Sequence, residues 1–384
     1  MPLTSDQNKK IPRDQAEALL GRALSRHIGY TTGAYYLDRI SEIVLDFVDK
    51  PFQYQFELET ALSDRALSSN KPLTENYVEE ILNWSTSLGL IDKALPSDNP
   101  KMTRYTPTAL GYSLRYALTI GDKQFSNYLL TESILKNDAD AYVLVLESAA
   151  ESIAQNDPKV LASEFMERTK STRMKRYKWI NDAFPIPQLR NRIVERVSWI
   201  KSGESTSDVG YDEPGEHFVR HHTKPRKGWA KILGHLTESG LTELGEQIVQ
   251  TVAGKHGRYD WIGPPEGCQE SLRIESGLIL EGPFDSDDGV LLQNLPVIDD
   301  EGYKDLKAST AEFMINAFPS LRLIRAKQAS LDAVRPYVRY LQVNLGMRVR
   351  SQDQLIIDSI RAAKPRISIL SGSETALGFY RVND

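Results

Sequence analysis

At two places in this chain the step Thr-x-Leu-Gly opens a helical pattern, as Thr108–Gly111 in "TPTALGYSL" and as Thr242–Gly245 in "LTELGEQI". Each copy follows a helix-patterned stretch and a Leu-Gly or Ser-Gly break, and each opens a new apolar helical pattern. A threonine at that point accepts from the N–H groups that a helix start leaves without partners. A glycine inside the first turn costs about 1 kcal/mol of helix propensity. Its use there is to let the helix lie close against a neighbour. The chain is therefore read as helices stopped and restarted by short turns or hairpins.

The rest of the sequence fits that reading. Apolar spacing is helical from Asp14 to about Val48 and again in "FELETALSD". From Thr74 to Leu88, Val78, Ile81, Leu82 and Leu88 form a stripe near the 3.6-residue period, with Thr74 as cap. The flanks Leu88–Lys93 and Met102–Thr106 pair as a hairpin around "SDNPK", and Pro107 opens the next helix after Thr106 as its cap. A second helical block covers Ala139 to Lys201, broken at "FPIPQ". Residues 202–216 read as a linker. Short strand-like runs, "SLRIESGLILE" and "VLLQNLPVI", follow in an acidic region. Near the end come one helix, "SLDAVRPYVRYLQVNLG", capped by Ser330, a second, "SQDQLIIDSIRAA", and a hairpin, "RISILSGSETALGFYRV".

The stretches around Thr108 and Thr242 resemble the wing-to-helix junction of winged helix-turn-helix proteins, over about twenty residues each. This likeness is to a fold, not to one family. It implies a mainly α protein with small β-hairpins, built as tandem winged-helix modules with a helical connector and a small β-rich insert. The expected division is an extension and first helix at 1–30 and a first, acidic module at 31–132. A connector follows at 133–202 and a second, basic module at 203–262. The acidic insert takes 263–306 and a third module 307–384.

In such a module the helix before the wing normally enters the major groove. Phosphates need positive partners, and base edges are read mainly by Arg, Lys, Asn and Gln. The first module fails that requirement, because its helix carries Glu75, Glu79 and Glu80 and no base. Its expected role is to hold a partner subunit or a second copy. The second module offers Arg226, Lys227, Lys231 and His235, the last three at four-residue steps on one face. Trp229, Ile232, Leu233 and Leu236 would face the core. The third places Arg348 and Arg350 before its helix, and Arg361, Lys364 and Arg366 at its end and at the wing. The densest basic run lies in the connector, with Arg173, Lys175, Arg176 and Lys178. Net charge over the 384 residues is −5, so binding to nucleic acid must come from such local patches.

Motifs for chemistry are sparse. There is no phosphate-cradling glycine motif, no H-E-x-x-H and no G-x-S-x-G. One cysteine, Cys268, excludes a disulfide framework and a Cys-rich zinc site. His217 and His221 stand four apart beside Glu216 and His222, without an evident third ligand. Asp285, Asp287 or Asp288 with Asp305 and Lys307 have the acid and acid-x-Lys form of a restriction-type nuclease, which would need Mg²⁺. The N-terminus lacks the apolar core of a signal peptide, and no apolar run nears the roughly 18–20 residues of a membrane span.

The expectation is a cytoplasmic, nucleoid-associated protein without cofactor or membrane contact. It would bind double-stranded DNA, with a partner subunit or as a homodimer. It would serve as a non-catalytic recognition or regulatory subunit of a prokaryotic DNA-processing or antiviral defence system. The alternatives are a metal-dependent nuclease with winged-helix recognition domains and a protein-only scaffold.

Overall fold

The structure, a computed structural model, describes residues 37–68, 75–95, 99–168, 216–254, 290–292, 295–323, 327–370 and 378–383. They are mainly helical, with three small antiparallel sheets. That is the class the sequence implies. The chain divides into two compact units, Thr32–Ser133 with Leu291–Asp384, and Met1–Thr31 with Ile134–Val290.

The first of these units contains one topology twice. In its N-terminal half, α1 (Leu37–Glu42) and a 3-10 turn lead to β1 (Gln53–Tyr54). Then follow α2 (Gln55–Ser68), α3 (Glu75–Ser87), β2 (Ile91–Leu95) and β3 (Arg104–Pro107). The sheet order is β1-β3-β2, so the first strand pairs with the last. Here α4 (Ala109–Ile120) follows, then the first turns of α5 (Lys123–Ala154).

The C-terminal half repeats the scheme. A long helix, α8 (Asp300–Leu321), leads through the short strand β6 (Arg322–Leu323) to β7 (Gln328–Ser330). Then come α9 (Arg335–Leu345), α10 (Gln352–Ala362), β8 (Ile367–Leu370) and β9 (Phe379–Val382). Its sheet reads β6-β7-β9-β8, the same pairing of first, last and middle strand with β6 added at the edge. The two halves share a core. The Ser113 hydroxyl of α4 donates to the Ala333 carbonyl at 2.6 Å. Phe125 meets Tyr337 and Tyr340 with ring centroids 5.3 and 4.9 Å apart, and Arg339 pairs with Glu132.

The expected stripe on α3 is present: Val78, Ile81, Leu82 and, just past the helix, Leu88 are buried, with Trp84. Two details differ from the sequence reading. The cap of α4 is Thr108, not Thr106. Thr108 Oγ1 accepts from Gly111 N at 3.1 Å, while Pro107 ends β3 opposite Ile91. Ser330 caps a 3-10 turn at Leu331–Ala333 rather than one long helix, and α9 starts afresh at Arg335 with Pro336 in its first turn.

In the second unit the described residues are α5 from Ile134 onward, a helical stretch at 158–168, and α6 (Glu216–Ile232). The two-residue strands β4 (Leu236–Thr237) and β5 (Gly240–Leu241) form a hairpin, and α7 (Glu243–Gly254) follows. This hairpin joins α6 to α7 as β2 and β3 join α3 to α4, and the junctions match bond for bond. Leu88 N and Leu233 N donate to the carbonyls of Trp84 and Trp229, both at 2.8 Å. Gly89 and Gly234 turn the chain at φ 68° and 78°. Thr108 Oγ1 and Thr242 Oγ1 donate to the carbonyls of those glycines at 2.6 and 2.7 Å. Thr108 N and Thr242 N donate to Leu90 O and His235 O, both at 3.1 Å. The Thr-x-Leu-Gly step is the second half of a longer pattern, W-x-x-x-L-G before the hairpin and T-x-L-G after it.

Candidate nucleic-acid interface

The second module was expected to offer the best reading head, and the structure revises its membership. Trp229, Leu233 and Leu236 are core as expected, but Ile232 is 53% exposed. Arg226 and His235 are buried and do not belong to the exposed basic face. Arg226 is spent on Asp138 of α5, with Nε and Nη2 donating to its two oxygens, both at 2.7 Å. Its Nη1 donates to the His222 carbonyl at 3.1 Å. His235 left the predicted face because α6 ends at Ile232 and Gly234 turns the chain. The four-residue step from Lys231 therefore does not reach it. Lys231 is exposed but bonded to Glu238 at 2.6 Å. Lys227 is half-buried.

His235 stands where the first junction has Leu90. Its Nδ1 lies 2.6 Å from the buried Tyr142 hydroxyl. Burial lowers the His235 pKa to about 4. Between about pH 4 and 6.5 the unfolded chain therefore binds the proton that the folded one refuses, and stability falls as pH falls through that window. The loss expected is about 3 kcal/mol, levelling off below pH 4. Urea midpoints across pH 4–7 check it. His235→Leu, which copies Leu90, should flatten the slope, and an unchanged slope would assign it to other groups.

The third module keeps its basic groups at the surface. Arg350, Arg361, Lys364 and Arg366 are exposed, and Arg348 is half-buried with its Nε on the Leu295 carbonyl at 3.1 Å. Ser351 caps α10 through Gln354 N, so Arg350 sits at the helix entry and Arg361 at its exit. The two acids on α10 are engaged internally. Asp353 accepts two bonds from Arg335, both at 3.1 Å. Asp358 accepts from Tyr303 at 3.0 Å, Gln354 at 2.8 Å and Arg361 at 3.2 Å.

One further base was missed in the sequence. Ser368 pairs with Arg381, and Asn383 N donates to Arg366 O at 2.8 Å. Alternation then puts Arg366, Ser368, Arg381 and Asn383 on one face of the hairpin. The opposite face carries the buried Ile367 and Tyr380. The signal was available, since "RIS" and "YRV" alternate base with apolar residue. Among the described residues, Arg350, Lys364, Arg366 and Arg381 form no ion pair with a carboxylate.

On α3, the counterpart of α10 in the doubled topology, Glu79 is exposed and Glu80 half-buried. The Glu75, His217 and His221 side chains lie outside the described set, as do Arg173, Lys175, Arg176, Lys178, Asp285, Asp287 and Asp288. Asp305 and Lys307 lie on α8, one exposed and the other half-buried. At about 100° per residue they point roughly 200° apart around the helix. They do not form the strand-borne acid-x-Lys pair of the nuclease alternative. No group of three or more His, Cys, Asp or Glu that could hold a metal occurs among the described residues. No described helix is long and apolar enough to cross a membrane.

Comparison of the chain with family models, with curated proteins and with solved structures finds no match. The functional reading therefore rests on the residues themselves.

Proposed function

We propose that this chain binds double-stranded DNA as a non-catalytic recognition subunit, and that α10 with the β8–β9 hairpin is its principal contact surface. The observation that carries this reading is the set of exposed bases around that element. Among the described residues, Arg350, Lys364, Arg366 and Arg381 have no carboxylate partner, whereas the acids of α10 are consumed by neighbouring side chains. The order helix, strand, helix, helix, strand, strand, with the first strand on the last, supports a winged helix-turn-helix in both halves of this unit. In that geometry α10 takes the groove position and the hairpin is the wing. Lys227 and Lys231 of α6 are secondary contacts, the latter after release from Glu238.

Each phosphate contact contributes about one unit to the slope of log affinity against log salt. Binding of random duplex should be measured by fluorescence anisotropy at several salt concentrations. Arg366→Ala with Arg381→Ala should weaken it and reduce the slope by about 2. Lys227→Ala with Lys231→Ala should have the smaller effect. Absence of low-salt binding by the intact chain would refute the function. Unchanged binding in the Arg366/Arg381 variant would refute the surface.

The exposed Glu79 on α3 favours a second role for the N-terminal half, contact with a protein partner. A polyanion would be repelled there.

A further inference from the structure

A cleft of about 250 Å³ opens between α4, the start of α5, α8 and α9. Its apolar wall is aromatic. Phe313 and Tyr337 stack with centroids 3.8 Å apart and planes 7° apart, and Tyr116 meets Phe313 edge-on at 5.3 Å. Its polar rim is acidic. Asp122 and Glu312 both line it, and among the described residues no lysine or arginine does. Rim side chains have bonding capacity left: among the described residues, the Glu312 and Asn316 side chains and the Tyr116 and Tyr337 hydroxyls make no hydrogen bond within the protein. Asp122 gives one oxygen to the Phe125 N–H at 2.9 Å. The carboxylates are close enough to act on the rings. Burial first, then the Tyr116 and Tyr340 hydroxyls and the Asp122 and Glu312 carboxylates, push the Tyr337 hydroxyl up to about 12.

Aromatic faces and ionised carboxylates attract the same ligand. A cation gains from the ring quadrupole and from the opposite charge, while its flat or alkyl part covers apolar surface. An anion would meet two negative charges and, among the described lining residues, no compensating base, and a neutral ligand would leave both carboxylates uncompensated. A pocket this small suits a side chain or a small amine. From the aromatic wall, the two carboxylates on the rim and the bonding capacity left on them, we infer that this cleft is a binding site for an organic cation, a guanidinium or alkylammonium group. The source is either an arginine or lysine side chain of a protein partner or a free polyamine.

The test uses the full chain and isothermal titration calorimetry with three probes: arginine amide, spermidine, and citrulline amide as the neutral isostere of the first. Arginine amide or spermidine should bind, and citrulline amide should not. Glu312→Gln and Tyr116→Leu should each weaken binding about tenfold. Glu312 is exposed, so Glu312→Gln does not threaten the fold. Preference for arginine amide points to a partner side chain, and preference for spermidine to a free polyamine. No cation binding at tens of millimolar, equal binding of citrulline amide, or unchanged affinity in Glu312→Gln would each overturn the proposal. DNA binding by Arg366 and Arg381 is measured separately and is independent of all three results.

Discussion

Gly111→Ala and Gly245→Ala should each destabilise their own unit by about 3 kcal/mol or more. A Cβ at Gly111 would sit 2.0 Å from the Leu90 carbonyl oxygen, and one at Gly245 would sit 2.1 Å from that of His235. Neither obstacle is a side chain that can swing away. Each is a main-chain oxygen that already accepts from the N–H of the capping threonine at 3.1 Å. The new methyl must lift the helix off the hairpin, and lifting it breaks the threonine cap as well. Gly228→Ala is the control. It lies within α6 with nothing within 4 Å of the added atom, so it should stabilise by up to about 1 kcal/mol through helix propensity alone. Urea denaturation followed by circular dichroism separates the cases. A loss below about 1 kcal/mol at both positions would mean that the close approach is not needed.

Asp138→Ala should cost about 3–5 kcal/mol, because it strands the Arg226 guanidinium in the core. Both side chains are almost wholly shielded, at 0% and 2% exposure, and the pair is bidentate at 2.7 Å. Removing one charge leaves the other shielded from water and short of the two bonds of this pair. Removing both with apolar replacements avoids that, so Asp138→Leu with Arg226→Met should recover much of the loss. A double-mutant cycle by urea denaturation reads the coupling. If Asp138→Ala and the double variant were equally unstable, shape rather than charge would be the cause. The same experiment bears on function. DNA affinity of Arg226→Met, corrected for folded fraction, should be unchanged if Arg226 is a core residue.

Much of the fold was legible in local pattern. The Val78–Leu88 stripe, the hairpin before α4, the Ser351-led helix and the last hairpin follow from helical or alternating periods and from turn residues. The Thr-Gly junctions were legible because a cap and a close helix contact leave fixed residues at fixed spacing. Trp84 and Trp229 would have lengthened the match, four residues before Leu88 and Leu233. The doubled topology was not legible. Its first strands are two or three residues long, too short for alternation to show, and the pairing of first with last strand is a long-range fact.

The site was read less well for the same reason. Arg226 looks like a surface base in "TKPRKGW", since its compensating acid is 88 positions upstream. His235 shares a face with Lys231 only while the helix continues, and the glycine that ends it lies between them. Lys231 has its acid in the turn of the hairpin that follows its helix, as Glu238. Arg350, Lys364 and Arg366 are exposed where the sequence placed them, at the ends of a helix whose apolar face is clear.

The two halves of the doubled unit use the same element differently. The helix before the first hairpin carries Glu79 and Glu80, and the one before the second is flanked by Arg350, Lys364 and Arg366. With like signs, a long polyanion would have two competing ways to settle on the unit, half of them unproductive. Opposite signs leave one. Under the proposed DNA binding, a duplex drifting within about a Debye length, roughly 10 Å at 0.1 M salt, would be turned away from one copy and drawn to the other before any contact forms. If the proposed binding holds, repetition of a fold with inversion of its charge would act as a compass for the encounter and select an approach direction ahead of recognition.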